Sequence, residues 1–526
     1  MHYCVGMAGA LVFVVALHCL FAGASEKDWP EDAQKYLAEI PGKKLSLEFV
    51  VVKALSSADS FQVPGYEALK AESLYYQTTA SEDFRLKAGY NYYDNQNEPL
   101  LPLFQPNSTV GWETSVGLEK NFSTGTAISL DGVYSPKKVG FLTGTSFDAY
   151  ETRATLGLQQ DLLANFFGSS YRKSRRSADQ ARQSMLAGIQ AQLETSTLDL
   201  IGLYYQAWLK KEVSLNWLEA KKRKEKLVKI MQSQSKRGYI EVADVLQVEG
   251  AALQTELQYL STQRELQNIW EQLVLNLKLP RIFLQVPAED IPLVLDAPET
   301  KSLELCERIQ FQDLEKNSSR LQASEHQVQS AREKFAAQKE RMLPELKLKA
   351  SYSANSIEAD DFTTGSGYQA QSHKTFREVG DLENPAWSAG LQLVVPLQNR
   401  ALKAQYLMAV AEFEQAKLKK SILLADLENQ WTQSCAQFKI KLNERDRYKQ
   451  INGKNKQRVQ LDNRRFEVGR IKAFQWVQTE DDEAQTLIQY KQSEVEARRL
   501  AWDIQRQSGH MAELVREHLP KVSLNE

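Results

Sequence analysis

This chain of 526 residues has few groups suited to redox or metal chemistry. It has four cysteines, and Cys4 and Cys19 lie in its amino-terminal apolar run. Cys306 and Cys435 remain, 129 positions apart, with no CxxC and no Cys/His pair at metal-site spacing. Cys435 continues an apolar stripe through Leu424, Trp431, Phe438 and Leu442, so it reads as a small buried hydrophobe. Only six histidines occur, and those beyond the first 24 residues (His326, His373, His510, His518) are scattered. GxSxG, HExxH and Walker A motifs are absent, and Asp481, Asp482 and Glu483 read as a solvated helix face; these absences argue against an enzyme, a cofactor or a bound metal. There is no excess of either charge, with 65 basic against 67 acidic residues, so neither nucleic-acid binding nor a charged tail is indicated.

Long apolar runs are also missing, apart from Val5–Ala24. With a mean hydropathy of -0.46, the chain is not a helical membrane protein. The single run, closed by Ala22-Gly23-Ala24, reads as a signal peptide over residues 1–24, although Met1–Met7 carries no Lys or Arg. The alternative is an uncleaved anchor. Cys19 follows Leu17-His18, which is not a lipobox.

Proline is absent between Pro136 and Pro280 and between Pro396 and Pro520. These stretches are rich in Ala, Leu, Gln, Glu, Lys and Arg, and proline would break a helix there. Apolar residues recur every three or four positions, as in Leu246, Leu253, Leu257 and Leu260, which argues for coiled-coil-like packing. Helices from about Asn165 to Arg237 and from Gln398 to Val468 would be rods of ~105 Å.

Elsewhere the period is two. Phe84, Leu86, Ala88, Tyr90 and Tyr92 alternate with polar residues, as do Val110–Leu118, Tyr150–Leu158, Leu346–Tyr352 and Trp387–Val395. Such strands fit a globular sheet or a transmembrane barrel with its apolar face outward. Tyr92, Trp112, Tyr150, Tyr352 and Trp387 are candidates for an interfacial aromatic belt. Five to seven strands cannot easily close a useful pore, so a barrel would need more than one copy of the chain.

The chain also repeats itself. Gly238-Tyr-Ile240, followed by Gln247, Glu249 and Gln258-Tyr259, recurs 231 positions later as Gly469-Arg-Ile471, followed by Gln478, Glu480 and Gln489-Tyr490. Leu45-Ser46-Leu47-Glu48 echoes Lys301-Ser302-Leu303-Glu304. Each copy reads as short helices, strands, a long helix, a glycine turn and a return helix. The first copy holds an excess of strand sequence, read as an additional hairpin at Val110–Asn121 and Thr126–Tyr134. The organisation expected is residues 45–279 for the first repeat, 280–300 for a linker, 301–510 for the second repeat and 511–526 for a tail.

At this point the chain resembles the TolC-type outer-membrane efflux proteins. Leu45-Ser-Leu-Glu48 with Ala54-Leu55 and Pro64 is similar to the family's opening helix and its break. Met342-Leu-Pro-Glu-Leu-Lys-Leu348 is similar to the entry into a repeat's first strand, and Gly390-Leu-Gln-Leu-Val-Val-Pro-Leu397 to the strand leading into a long helix. Gly238-Tyr-Ile with Asp244-Val-Leu246 is similar to its helix-tip motif. The resemblance implies an α+β membrane protein: a homotrimer in the outer-membrane lipid, each protomer giving four strands to a twelve-stranded barrel continued by a periplasmic α-helical tunnel. It implies an exit duct for a tripartite efflux or type I secretion system, meeting a periplasmic adaptor and an inner-membrane pump. Residues 280–298 would be equatorial and 355–382 an extracellular loop. Arg237, Gly238, Tyr239, Val468, Gly469 and Arg470 become candidates for adaptor contact. Asp244, Gln247, Gln475 and Gln478 become candidates for the tunnel aperture.

One departure stands out. The family's second-repeat aspartates, six and nine residues after the tip glycine, are here Gln475 and Gln478. Weaker block by multivalent cations is therefore expected than in relatives with both aspartates. Micromolar block of the native pore would count against this, and its loss in Asp244→Asn would assign it to the first repeat. The rival to the whole reading is a secreted helical scaffold, which explains the helices and the leader but not the strands placed between long helices.

Overall fold

The computed structural model describes residues 44–518, except 97, 99, 101–104, 310 and 362–366, together with residues 30, 35, 36 and 40. The expected signal peptide lies outside the described residues.

Helix α1 (Leu47–Ser57) starts at Ser46, whose hydroxyl accepts the amide of Phe49 at 3.2 Å. The chain breaks at Ala58, where ψ is 137°, and α2 (Asp59–Thr79) follows. The expected break at Pro64 is not found: Pro64 is buried inside α2, whose ladder there lacks one amide. The echo of Ser46 at Ser302 also differs. Ser302 lies within α5 (Glu299–Arg308), and its hydroxyl donates to the Ala501 carbonyl at 2.8 Å.

The two long helices are α3 (Ser169–Lys236) and α9 (Arg400–Glu467), each of 68 residues, or ~102 Å. Each is followed by a return helix of 35 residues, α4 (Val242–Asn276) and α10 (Ala473–Gln507). The starts and ends of these four helices all correspond at an offset of 231 residues. Short α6 (Phe311–Asn317) and longer α7 (Ser319–Arg341) precede the second strand region. Near the strands α3 lies between α2 and α7, with α9 beyond α7. Toward the tips it lies between α4 and α10, with α9 beyond α10. The bundle is thus four helices wide at both levels.

The largest core lies at mid-height of α3. There Tyr204 places its hydroxyl between the carbonyls of Leu45 (2.6 Å) and Val294 (2.7 Å) and accepts the Val294 amide at 2.9 Å. Trp270 of α4, fully buried, donates to the Phe283 carbonyl at 2.9 Å. The segment between the repeats, with 3-10 turns at Arg281–Gln285 and Ala288–Asp290, wraps this level. So does α11 (His510–His518), a helix where a tail was expected, which buries Met511 and Val515. Proline and buried backbone bonds make this belt dense, and every amide in it needs a partner.

Cys435 is not a free buried thiol. It is disulfide-bonded to Cys306, joining α5 to α9 across a chain separation of 129 residues. Sequence spacing hid the pair because the two cysteines meet only when α5 packs beside the α9–α10 hairpin, in a cluster with Trp431, Phe438 and Ile504.

Six antiparallel strands form one sheet in chain order: β1 (Arg85–Gln96), β2 (Ser108–Asn121), β3 (Thr126–Gly140), β4 (Ser146–Asp161), β5 (Glu345–Ala359) and β6 (Pro385–Val394). The implied four strands per chain are therefore corrected to six. The expected loop at 355–382 also differs: its first five residues complete β5, and α8 (Ser372–Gly380) folds back on the sheet, with Thr375 bonded to Thr152 at 2.7 Å and Phe376 in ring contact with Tyr134.

Candidate functional site

Both helix hairpins turn through the same motif. Gly238 and Gly469 sit at φ 78° and 73°, a conformation that suits glycine, and neither would meet a neighbour if it carried a Cβ. In the first turn the amides of Gly238 and Tyr239 reach the carbonyls of Ser235 (2.9 Å) and Gln234 (3.1 Å). In the second, Gly469 and Arg470 reach Phe466 (2.9 Å) and Arg465 (2.8 Å). This is the Schellman arrangement, which satisfies the helix's last carbonyls while reversing the chain. Arg237, Tyr239, Val468 and Arg470 are exposed around the glycines, Tyr239 at 78% and Val468 at 67%.

The two turns lie together. Leu227, Met231, Val245 and Val248 of the first hairpin pack with Ala473, Trp476 and Val477 of the second, and Phe466 is in ring contact with Trp476. On the first two turns of α4 and α10, Asp244, Gln247, Gln475 and Gln478 are all exposed. Gln475 is partly engaged, since its side-chain oxygen accepts the Lys472 amide at 3.3 Å and caps α10. Asp244 stands in the first turn of α4, where the helix dipole favours a carboxylate.

Of the carboxylates expected on a solvated face, Asp481 and Asp482 are about half exposed, but Glu483 is not. Glu480 is buried, at 1% exposure, and accepts from Arg223 of α3 at 2.6 Å; Glu483 is also buried, 3.8 Å from the same guanidinium. Burial pushes the Glu480 carboxyl above its ordinary range, with Arg223 opposing. Lys224, equally buried, donates to Thr255 at 2.8 Å and to Asp481 at 2.5 Å, while Asp482 meets Arg458 at 3.2 Å. Asp481 and Asp482 are thus held in ion pairs. Sequence reasoning does not single out Arg223 or Lys224. A signal was present: Trp217, Ala220, Lys224, Leu227 and Met231 continue one buried stripe at spacings of three and four.

At the other end, the sheet has two chemically distinct faces. The register places Leu86, Leu118, Leu130, Leu156, Tyr352 and Trp387 in one row on one face. Ala88, Val116, Ile128, Leu158, Ala350, Leu391 and Leu393 share that face. Of the expected aromatic belt, Tyr92 pairs with Trp112, and Tyr150 lies opposite Pro136 of β3; Tyr352 pairs with Trp387 further along the strands. The five therefore share a face but occupy two levels. The ion pairs of the sheet (Arg85 and Lys87 with Glu119, Lys137 and Arg153 with Glu151, Lys347 with Glu345) all lie on the opposite face. Apart from the end covered by α8, the apolar face is open: Leu86 is 74% and Trp387 78% exposed.

No helix among the described residues is long and apolar enough to cross a membrane, which says nothing about strands. Among the described residues no group of three His, Cys, Asp or Glu side chains could hold a metal ion.

Residues 311–504, from α6 to near the end of α10, match the family model described as outer membrane efflux protein. No curated protein matches the sequence. Among solved structures, the Campylobacter jejuni CmeC outer membrane channel is 11% identical and superposes over 98% of both chains with a TM-score of 0.65. The outer membrane protein VceC of Vibrio cholerae is 15% identical over 88% of this chain and 96% of its own, with a TM-score of 0.60. The Neisseria gonorrhoeae MtrE outer membrane channel is 12% identical over 88% of each chain, at 0.58. At these identities the likeness is one of fold. The second repeat thus carries the sequence signature of the outer membrane efflux proteins, and the whole chain carries the fold of outer-membrane channels. The resemblance to TolC-type proteins is thus matched by the fold of the single chain.

Proposed function

We propose that this chain is the outer-membrane duct of an export system. Copies assemble as a homotrimer whose sheets close into a lipid-embedded barrel and whose helices continue it as a tunnel across the periplasm. The observation that carries this reading is the open apolar face of the sheet. A six-stranded sheet with leucines and a tryptophan exposed on one face, and its ion pairs on the other, is stable in lipid outside and water inside. A closed barrel also satisfies the free edges of β1 and β6, which hydrocarbon would not tolerate. The disulfide accords with an oxidising compartment outside the cytoplasm. In this reading Arg237, Gly238, Tyr239, Val468, Gly469 and Arg470 offer the docking surface for a periplasmic adaptor, which links the duct to an inner-membrane pump. Asp244, Gln247, Gln475 and Gln478 surround the aperture, and the duct is not an enzyme and needs no cofactor.

The test is to fractionate membranes, extract the protein in mild detergent and determine the protein mass of the particle. The expected result is an outer-membrane particle of three chains. A soluble monomer would overturn the duct and return the helical scaffold, which leaves the apolar face without a role.

A further inference from the structure

Resting on that trimer, we propose that the barrel has eighteen strands, six from each copy, closed by pairing β6 of one copy with β1 of the next.

The additional hairpin is β2–β3. Strands β1 and β5 both follow a short helical region, and β4 and β6 both lead into a long helix, so these four correspond between repeats while β2 and β3 have no counterpart. The hairpin does not project. Strand β2 pairs with β1 over twelve residues, and β3 pairs with β4 over fifteen. Its turn is seated on the start of α3, where Arg172 donates to the Ser123 carbonyl at 3.1 Å and the Asp161 amide reaches the Gly125 carbonyl at 3.0 Å. A Cβ at Gly168 would fall 1.9 Å from the Ser123 carbonyl, so the contact requires glycine there. The hairpin therefore occupies a place in the wall.

The register supports closure at this number. Measured from the row Leu86–Trp387, the midpoint of β1 lies about 4.5 residues toward the α8 end, and that of β6 about 2.5 residues toward the helices. The drift runs in one direction through all six strands, and one further step brings it to about eight residues per copy. It must be even, because an odd offset would turn the apolar face inward. Three copies then give a shear of about 24 over eighteen strands, which corresponds to a strand tilt of ~43° and a diameter of ~37 Å. That tilt falls in the usual range for barrels. Six strands at this tilt span ~39 Å of circumference, and the four helices below them ~32–40 Å. Four strands at the same tilt would span only ~26 Å.

The same offset specifies the joint. Leu391 faces Tyr90 of the partner subunit, and Leu393 faces Ala88 of the partner subunit, on the lipid side. Gly390 faces Asn91 of the partner subunit in the lumen. The two strands run antiparallel, and both present free edges in the single chain.

Two measurements decide this. The first is a cryo-electron microscopy map of the full-length particle, expected to show eighteen strands with β2 and β3 in the wall. The second is oxidation of a Gly390→Cys/Asn91→Cys variant, expected to yield a covalent three-chain ladder on denaturing gels. A Gly390→Cys/Lys87→Cys variant, four residues out of register, should not cross-link. A trimer with twelve strands and the β2–β3 hairpin outside the wall would overturn the inference while leaving the duct intact. A particle that is not a trimer would remove the reading on which it rests.

Discussion

Replacing Cys306 and Cys435 together by alanine is expected to lower the stability of the helical region by about 2–5 kcal/mol. The bond links α5, only ten residues long, to the middle of α9, and the loop it closes contains α7, β5, α8 and β6. In the unfolded chain that loop removes many conformations, and the effect grows slowly with loop length. Alanine keeps a small apolar group in the cluster of Trp431, Phe438 and Ile504, so the change reports the cross-link more than the packing. Helix α5 keeps other attachments, namely Ser302 to the Ala501 carbonyl and Glu299 to Arg445 and Arg498. The fold should therefore persist at moderate temperature. The measurement is thermal unfolding of the detergent-solubilised particle followed by helical circular dichroism. The double variant and the reduced wild type should melt earlier by similar amounts, and the variant should no longer respond to reductant. An unchanged midpoint in both would mean that the bond contributes nothing to this belt.

Much of the architecture is legible in the sequence, for reasons that differ between elements. The long helices declare themselves by the absence of proline and by a stripe that never changes period, and the tip glycines by their repetition at one offset. The strands are visible because each has one wet and one apolar face, which fixes period two. What is not legible depends on contacts between distant segments. Nothing in the sequence near Cys306 or Cys435 shows that α5 lies against α9. The strand number of a barrel wall is likewise a property of pairing. Val110–Asn121 reads the same whether it lies in the wall or stands outside it, and only its ladder with β1 and the seat of its turn on α3, which are contacts between distant segments, bear on the question. Lys224 shows a third limit. Its residue type suggests solvent while its position in the stripe indicates the core, and position prevails because Thr255 and Asp481 are there to receive its ammonium group.

Arg223→Ala should weaken the contact between the two helix hairpins, and the size of the effect should depend on pH. Arg223 is the cation nearest Glu480, whose carboxylate is almost wholly buried and has one oxygen with no hydrogen-bond partner. Removing one member of a fully buried pair typically costs about 3–5 kcal/mol, because the other charge is left without compensation. Here the Arg223 side chain is 34% exposed, so water already screens part of the pair, and about 2–3 kcal/mol is expected at neutral pH. The sign of the pH dependence follows from Glu480. Burial holds its folded-state pKa above the ordinary value of 4.5, and Arg223 pulls against that rise. Without Arg223 the folded-state value moves further up. A carboxyl raised on folding favours the folded state below its ordinary pKa, and this contribution is lost as pH rises through the folded value. The variant should therefore lie close to wild type in mild acid and fall away toward neutrality. The double change Arg223→Ala with Glu480→Gln should recover much of the loss and flatten the pH profile, because a buried amide carries no charge to compensate. Hydrogen exchange at the α3–α4 and α10 tip amides, followed across that range, measures this directly. A loss independent of pH, or one that Glu480→Gln does not relieve, would assign the effect to the packing of the arginine stem rather than to the uncompensated carboxylate.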